Sequence, residues 1–123
     1  KDIYFSDPNA AHTSLARLER ENKIKAIVTQ NIDSLHQKAG SKNVIEVHGS
    51  ISELVCLQCK TKVTFDEQVV NNFIDNFEIP KCEHCHKFLK PSITLFEEML
   101  PVDAWDSAFD HFQKADLVIQ SVV

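Results

Sequence analysis

Four cysteines form two C-x-x-C pairs, Cys56 with Cys59 and Cys82 with Cys85, and 22 residues separate the pairs. Each pair can present two thiolates to one ion, and the intervening residues can bring both pairs around a single tetrahedral zinc. Four thiolates leave no coordination position open for a substrate. The spacing therefore predicts one structural zinc ion per chain, bound by all four cysteines.

Two other chemistries use paired cysteines. Two disulfides would require an oxidising compartment, which does not suit a chain with a cytosolic character. A redox-active C-x-x-C motif normally occurs once, at the start of a helix. His84 and His86 flank Cys85 and could replace a cysteine as a ligand, but the simplest assignment leaves both histidines exposed.

A second group of residues follows two apolar segments. His48 follows segment 44–47, and segment 24–29 is followed by Gln30, Asn31, Ile32 and Asp33. Because the carboxyl ends of parallel strands line a common crevice, these side chains could converge there. A histidine with amide and carboxylate neighbours can act as a general base near neutral pH. A histidine that only packs at a strand end explains the same pattern, and the spacing alone does not decide between the two.

The elements that must position these residues alternate between strand and helix. Segments 24–29 and 44–47 are short and apolar, as in strands buried on both faces. Segment 92–96 resumes a strand, and segment 116–123 is a final apolar run. The alternation predicts an α/β fold with a parallel sheet, formed by residues 1–53 and 91–123, into which a zinc-binding module of residues 54–90 is inserted.

Helix ends can also be assigned. Asp7 and Pro8 predict the start of a helix that ends near Asn22. A capping box of Thr64 and Glu67 predicts a helix inside the zinc-binding module. A helix that starts at Pro101 should bury an apolar face, which consists of Trp105, Ala108, Phe109 and Phe112. Three histidines are assigned to helix surfaces: His12, His36 and His111.

The composition argues against several classes of function. A net charge of −5 without a basic stripe argues against binding to nucleic acid or to anionic membranes. No apolar stretch approaches the roughly 20 residues that cross a bilayer, and the first residues lack the layout of a signal peptide. The two glycines, Gly40 and Gly49, exclude a glycine-rich phosphate loop within these residues. We therefore expect a cytoplasmic protein.

The ordered motifs resemble the sirtuins, which are NAD-dependent protein deacylases. The motifs are TQNIDSLHQKAG, VIEVHGS, the two C-x-x-C pairs and KPSITLFEEMLP, and DPNAAHTSLARLE is similar to the helix that precedes them. The resemblance covers residues 7 to 119. It implies a partial Rossmann-like sheet with an inserted zinc-ribbon-like module, NAD as the cofactor, a structural zinc ion, and an acyl-lysine protein or peptide as the substrate.

The resemblance also implies a role for each matching residue. His48 corresponds to the base that deprotonates a hydroxyl of the nicotinamide ribose. Gln30 and Asn31 correspond to residues that contact this ribose and order the reacting centre, and Ile32 and Asp33 to the pocket for the nicotinamide carboxamide. The substrate peptide pairs with a strand that includes Leu95 and Phe96. In this family the acyl group is transferred to ADP-ribose, and nicotinamide is released.

Three features depart from the sirtuin pattern. The Gly-Ala-Gly-Ile-Ser cofactor loop is expected upstream of residue 1. After the last strand the family has a Gly-Thr-Ser or Gly-Ser-Ser motif, whereas this sequence continues to Gln120 and Ser121 without a glycine, so its last residues either diverge from the motif or stop short of it. Glu97 occupies a glycine position of the family, next to the substrate channel. We therefore expect the chain to be inactive when isolated. The alternative is a non-catalytic zinc-binding interaction module derived from a sirtuin, but such a module would not need His48, Asn31 and Asp33 together.

Overall fold

The computed structural model describes residues 6–77, 79–95 and 98–123. The chain divides into two compact units: unit 1 comprises residues 1–49 and 94–123, and unit 2 comprises residues 50–93. The elements in chain order are α1 (Ala10–Arg20), β1 (Ile27–Thr29), α2 (Leu35–Lys38), β2 (Val44–Glu46), β3 (Gly49–Cys56), β4 (Lys62–Thr64), α3 (Glu67–Asn76), β5 (Leu89–Ile93) and α4 (Val102–Lys114). The predicted module boundaries at residues 54 and 90 stay predictions.

A parallel pair of strands forms the sheet of unit 1. Strands β1 and β2 pair in the register Ile27 to Val44 and Thr29 to Glu46, and the Val47 N–H donates to the Thr29 carbonyl at 3.1 Å beyond the last pair. Parallel pairing with burial explains why both segments are apolar. The predicted α/β fold with a parallel sheet and an inserted module is confirmed.

Helix α4 packs on this sheet through small residues. Ala108 is completely buried against Ile45 and Val47, and Trp105 packs against the same cluster. The prediction that Phe109 and Phe112 belong to a buried face was wrong, because their exposed fractions are 57% and 44%. The apolar side of α4 is therefore wider than the part of it that β2 covers.

Helix α1 begins two residues later than predicted. Asn9, rather than Asp7, caps it: the Asn9 side-chain oxygen accepts the backbone N–H groups of Ala11 and His12 at 2.9 and 3.1 Å. Asp7 instead forms an ion pair with Lys38 at 3.1 Å. The predicted end was close, since the helix stops at Arg20.

The assignment of His12 and His36 to helix surfaces was wrong. Their exposed fractions are only 2% and 3%, and their ring centroids lie 4.8 Å apart in an edge-to-face arrangement. Helices α1 and α2 contact each other, so a histidine on each helix faces the other helix rather than water. His111 is half-buried near the end of α4.

Unit 2 contains a three-stranded sheet in the order β4-β3-β5, in which β3 and β4 are antiparallel. Its core consists of Leu54, Cys56, Cys82 and Leu89. The strand predicted at 92–96 is shifted: it spans Leu89–Ile93 and joins this sheet rather than the parallel one. The prediction that Thr64 caps the next helix was also wrong, since Thr64 belongs to β4 and Asp66 accepts the Val69 N–H at 3.0 Å. The Glu67 side chain, the other half of that predicted capping box, lies outside the described part of the structure.

The final apolar segment, 116–123, forms no helix or strand. Leu117 and Ile119 are 77% and 78% exposed, so hydrophobicity alone does not place this segment in the core. No helix in the described part of the chain has the length and apolar character required to cross a membrane.

Candidate functional site

The four cysteine sulfurs of unit 2 converge on one point. All four lie within 4.8 Å of one another, and the shortest separations are 3.3 Å for Cys56 to Cys85 and 3.4 Å for Cys59 to Cys82. Zn–S bonds of about 2.3 Å in a tetrahedron place sulfurs about 3.8 Å apart. A disulfide requires a separation of about 2.05 Å, and all four cysteines are free. The cluster therefore fits one tetrahedral zinc ion and does not form disulfides.

Both C-x-x-C pairs have the same backbone geometry. After Cys56, the Lys60 N–H donates to the Cys56 carbonyl at 3.0 Å, and the Cys56 N–H donates to Thr61. After Cys82, His86 and Lys87 make the two equivalent bonds, at 2.8 Å each. Lys60 and His86, four residues after the first cysteine of each pair, share a positive φ, 61° and 59°.

These two tight turns orient the two thiols of each pair toward the same point through backbone hydrogen bonds alone. His84 and His86 are exposed and lie outside the cluster.

Hydrogen bonds tune the cysteine thiols unequally. The hydroxyl and the backbone N–H of Thr61 lower the pKa of Cys59 to about 6, and the Cys59 N–H lowers the pKa of Cys56. The Lys87 N–H acts to lower the pKa of Cys85, but hydrogen bonding to Cys56 and burial outweigh it and raise that pKa to about 11. The Cys59 thiol therefore favours the thiolate form, which is the form that binds a metal, and Cys56 is shifted in the same direction.

His48 lies at the carboxyl edge of the parallel strands. It is half-buried and occupies the turn that follows β2, directly before Gly49, whose φ is 81°. Its carbonyl accepts the Thr94 N–H at 2.9 Å, which brings residues 94–95 beside this turn. The surroundings of His48 are thus set by β2 and by a segment 46 residues further along the chain.

Residues 30–33 reach the same edge, because they follow β1 directly. The Asn31 N–H donates to the Thr29 hydroxyl at 3.1 Å, and the Asn31 side-chain amide donates to the Val123 carbonyl at 3.1 Å. Asp33 accepts the Leu35 N–H at 3.0 Å and so caps α2. Gln30 is exposed, and Ile32 is half-buried.

The structure therefore brings His48 and residues 30–33 to one edge through the backbone. Within the described residues, no hydrogen bond joins the His48 side chain to residues 30–33. Leu95 is 55% exposed near the same turn, whereas Phe96 and Glu97 lie outside the described residues. The catalytic, cofactor-binding, substrate-binding and metal-binding assignments stay predictions.

Two residues that support this edge were missed in the sequence. Thr29 holds the Asn31 backbone through its hydroxyl, and Ser34 has a positive φ of 57° and donates to the Glu46 carboxylate at 3.3 Å. Ser34 thereby ties the start of α2 to the end of β2. The sequence indicated Ser34 only as a polar residue between a strand and a one-turn helix. Its hydrogen-bond partner, Glu46, could not be predicted without the pairing of β1 with β2.

The chain is similar to known proteins over almost its whole length. The Sir2 family model matches residues 2–121. The NAD-dependent protein deacetylase of Thermotoga maritima is 42% identical over 112 residues, which cover 91% of this chain and 45% of that protein. The chain thus spans about half the length of the curated relatives it matches.

Solved structures give the same result. A Sir2 protein bound to an acetylated peptide superposes with a TM-score of 0.77 at 40% identity, over 91% of this chain and 46% of that one. A Sir2 homologue in complex with NAD superposes with a TM-score of 0.79 at 36% identity, over 93% of this chain and 43% of that one.

Proposed function

This chain belongs to the Sir2 family, and we propose that it carries the acyl-transfer centre of an NAD-dependent protein-lysine deacylase. The observation that supports the proposal best is the shared edge of β1 and β2. There, His48 and the Gln30–Asp33 segment follow adjacent parallel strands, and the Thr94–Leu95 segment hydrogen-bonds the His48 backbone.

Each residue of this edge has a proposed task. Bound NAD would supply the electrophilic ribose carbon and nicotinamide as the leaving group. His48 accepts a proton from a ribose hydroxyl, and its half-buried position leaves part of the ring accessible to a bound ligand. Gln30 and Asn31 orient the ribose through their amides. Asp33 has one carboxylate oxygen engaged by Leu35, so its side chain is held and further lone pairs can accept the carboxamide N–H of nicotinamide.

The proposed substrate is an acyl-lysine in a protein or peptide. The Thr94 N–H to His48 bond holds residues 94–95 beside the catalytic turn, and the Leu95 side chain is 55% exposed. An extended peptide could pair with this segment through its backbone. Phe96, the second predicted substrate contact, remains a prediction from the sequence.

Unit 2 would hold one structural zinc ion through Cys56, Cys59, Cys82 and Cys85. With four thiolates the ion offers no open position, so it would stabilise the fold and take no part in acyl transfer. Reduced, metal-binding cysteines favour a cytoplasmic location. The net charge of −5 favours neither nucleic acid nor an anionic membrane as a partner.

A segment exchange tests the proposed function. The matching 112 residues of the Thermotoga maritima deacetylase would be replaced by the corresponding residues of this chain. We expect the hybrid to deacetylate an acetyl-lysine peptide and to depend on NAD, with nicotinamide release measured in parallel. Zinc content and a cooperative thermal transition serve as controls for folding. A folded, zinc-loaded hybrid without activity would contradict the proposal.

The second candidate is a non-catalytic zinc-binding interaction module. One observation favours it: unit 2 has an open groove of about 720 Å³ whose lining includes Leu54, Val63 and Phe88. Phe88 is 58% exposed, and Phe77, at the same groove, is 83% exposed. The inactive, folded hybrid described above is the outcome that this second candidate predicts.

A further inference from the structure

A buried pair of histidines lies in unit 1, outside the groups assigned to chemistry. His12 on α1 and His36 on α2 are 2% and 3% exposed, and their ring centroids are 4.8 Å apart. Among the described residues, His12 Nε2 and His36 Nδ1 are buried without a hydrogen-bond partner. A charged His36 ring would therefore have no hydrogen-bond acceptor at Nδ1 to compensate the buried charge.

Helix α2 needs this contact to persist. It has a single turn, Leu35–Lys38, and so short a helix is not stable without tertiary packing. His36 is its one fully buried side chain, and the partner ring belongs to α1. The His36 contact therefore determines whether α2 keeps its place on unit 1.

The same helix fixes the segment that is proposed to hold nicotinamide. Asp33 ends that segment, and its side chain accepts the Leu35 N–H at 3.0 Å. The Lys38 N–H donates to the Ser34 carbonyl at 3.0 Å, which closes the turn. If α2 shifts, Asp33 loses the donor that sets its rotamer.

We propose that His36, packed against His12, is a positioning residue that holds the Gln30–Asp33 segment in place, and that a charge on the His36 ring loosens this hold. The inference rests on the proposed function for the role of that segment in binding nicotinamide. The positioning itself is a property of the fold.

The charges around the pair favour this behaviour. Burial and the neighbouring His12 lower the pKa of His36, and the Asp33 carboxylate opposes them more weakly. The other charged groups on α1, α2 and β2 have partners of their own or lie at the end of α2: Arg17 with Glu21, Glu19 with the Lys42 and Asn43 N–H groups, Lys38 with Asp7, Glu46 with Ser34, and Arg20 beside Gly40.

The direction of the pH effect follows from this lowered pKa. Below about pH 6.5 the unfolded or displaced state of His36 binds more protons than the packed state. The packed state is therefore favoured at higher pH and is lost as the pH falls through the pKa of packed His36.

The first test uses the 123-residue chain and needs no enzymatic activity. NMR would follow the His36 ring and the exchange protection of the Leu35 amide, which Asp33 accepts, between pH 7.5 and pH 5. We expect the protection factor of Leu35 to fall about tenfold as the His36 ring becomes charged. His36→Phe keeps a ring of similar size without a charge, so its protection should not vary with pH. His36→Ala should lower protection at every pH.

Several outcomes would overturn the inference. The first is that the Leu35 N–H of the wild-type protein stays protected from exchange while the His36 ring becomes charged. This measurement uses the wild-type protein alone and so does not depend on the folding of a variant. Others are equal pH dependence in wild-type protein and His36→Phe, or normal protection in His36→Ala. His111→Phe, the same change at a half-buried histidine of α4, is the matched control and should behave like wild type.

The second test uses the hybrid enzyme. Acidification from pH 7.5 to pH 6 should raise KM for NAD more than it lowers kcat, and His36→Phe should flatten the KM profile. A flat wild-type KM profile would overturn the inference. An inactive hybrid would count against the proposed function alone, because the amide measurement decides the positioning role separately.

Discussion

The metal centre of unit 2 and the strand edge of unit 1 are built in different ways. In unit 2, each C-x-x-C pair shapes its own turn, and the bonds that aim Cys56 or Cys82 come from residues four or five positions away. In unit 1, His48 and Asp33 lie at one edge only because β1 and β2 pair, and Thr94 hydrogen-bonds the His48 backbone from far along the chain. A site encoded by short spacings can be inferred by counting residues, whereas a site encoded by sheet pairing cannot.

Removal of the zinc site should give the largest effect and would test whether unit 2 depends on it. Cys82 is 1% exposed and belongs to both the cluster and the core. Structural zinc binding contributes about 10–16 kcal/mol in zinc-finger peptides, so Cys82→Ser or a strong chelator should unfold unit 2. Elemental analysis and hydrogen exchange of β3 would measure this.

The exposed His84 provides the control for that experiment. His84→Ala lies between two ligands in sequence but outside the cluster, so the variant should keep one zinc per chain. Normal β3 protection in Cys82→Ser, without bound metal, would show that the core of unit 2 does not need the ion.

The second effect concerns unit 1 and should leave unit 2 unchanged. In the hybrid enzyme, His48→Ala should lower kcat by about 10²–10⁴-fold, because general base catalysis typically contributes that much. Zinc content and the thermal transition should stay as in the parent. Turnover close to the parent value would remove His48 from the mechanism, and a loss of zinc would instead make His48 a ligand.

The sequence carried more information about one unit than about the other. The convergence of the four cysteines, the exposure of His84 and the parallel strands were predicted from spacing and apolar runs. The burial of His12 and His36 was not predicted. Polar residues lie on most sides of α1, so its sequence does not show which side the one-turn helix α2 covers. Asn9 and Asp66 were missed as caps because Asp7 and Thr64 offer equally good local chemistry, and only the backbone geometry selects between them.

The third prediction concerns which part of NAD this chain can bind: the nicotinamide or the ADP-ribose. A pyrophosphate needs N–H donors from a glycine-permitted turn at a helix N-terminus, but Gly40 follows the end of α2 and Gly49 begins β3. We expect calorimetry of the 123-residue chain to show no ADP-ribose binding below about 1 mM, which corresponds to less than about 4 kcal/mol. Nicotinamide should bind weakly, and Asp33→Ala should abolish that binding. Micromolar affinity for ADP-ribose would contradict this expectation.

The smallest effect compares one helix cap from each unit. Asn9 accepts two backbone N–H groups at the start of α1 and lies 2.9 Å from the ring of buried His12, whereas Asp66 accepts the Val69 N–H at an exposed position before α3. Replacement of a cap by alanine costs about 0.5–2 kcal/mol. We expect Asn9→Ala to fall near the upper end, because it also removes a contact of His12, and Asp66→Ala near the lower end. Hydrogen exchange of α1 and α3 at pH 7.5 would measure each unit separately. If the two losses were equal, the contact between Asn9 and His12 would contribute nothing to the stability of α1.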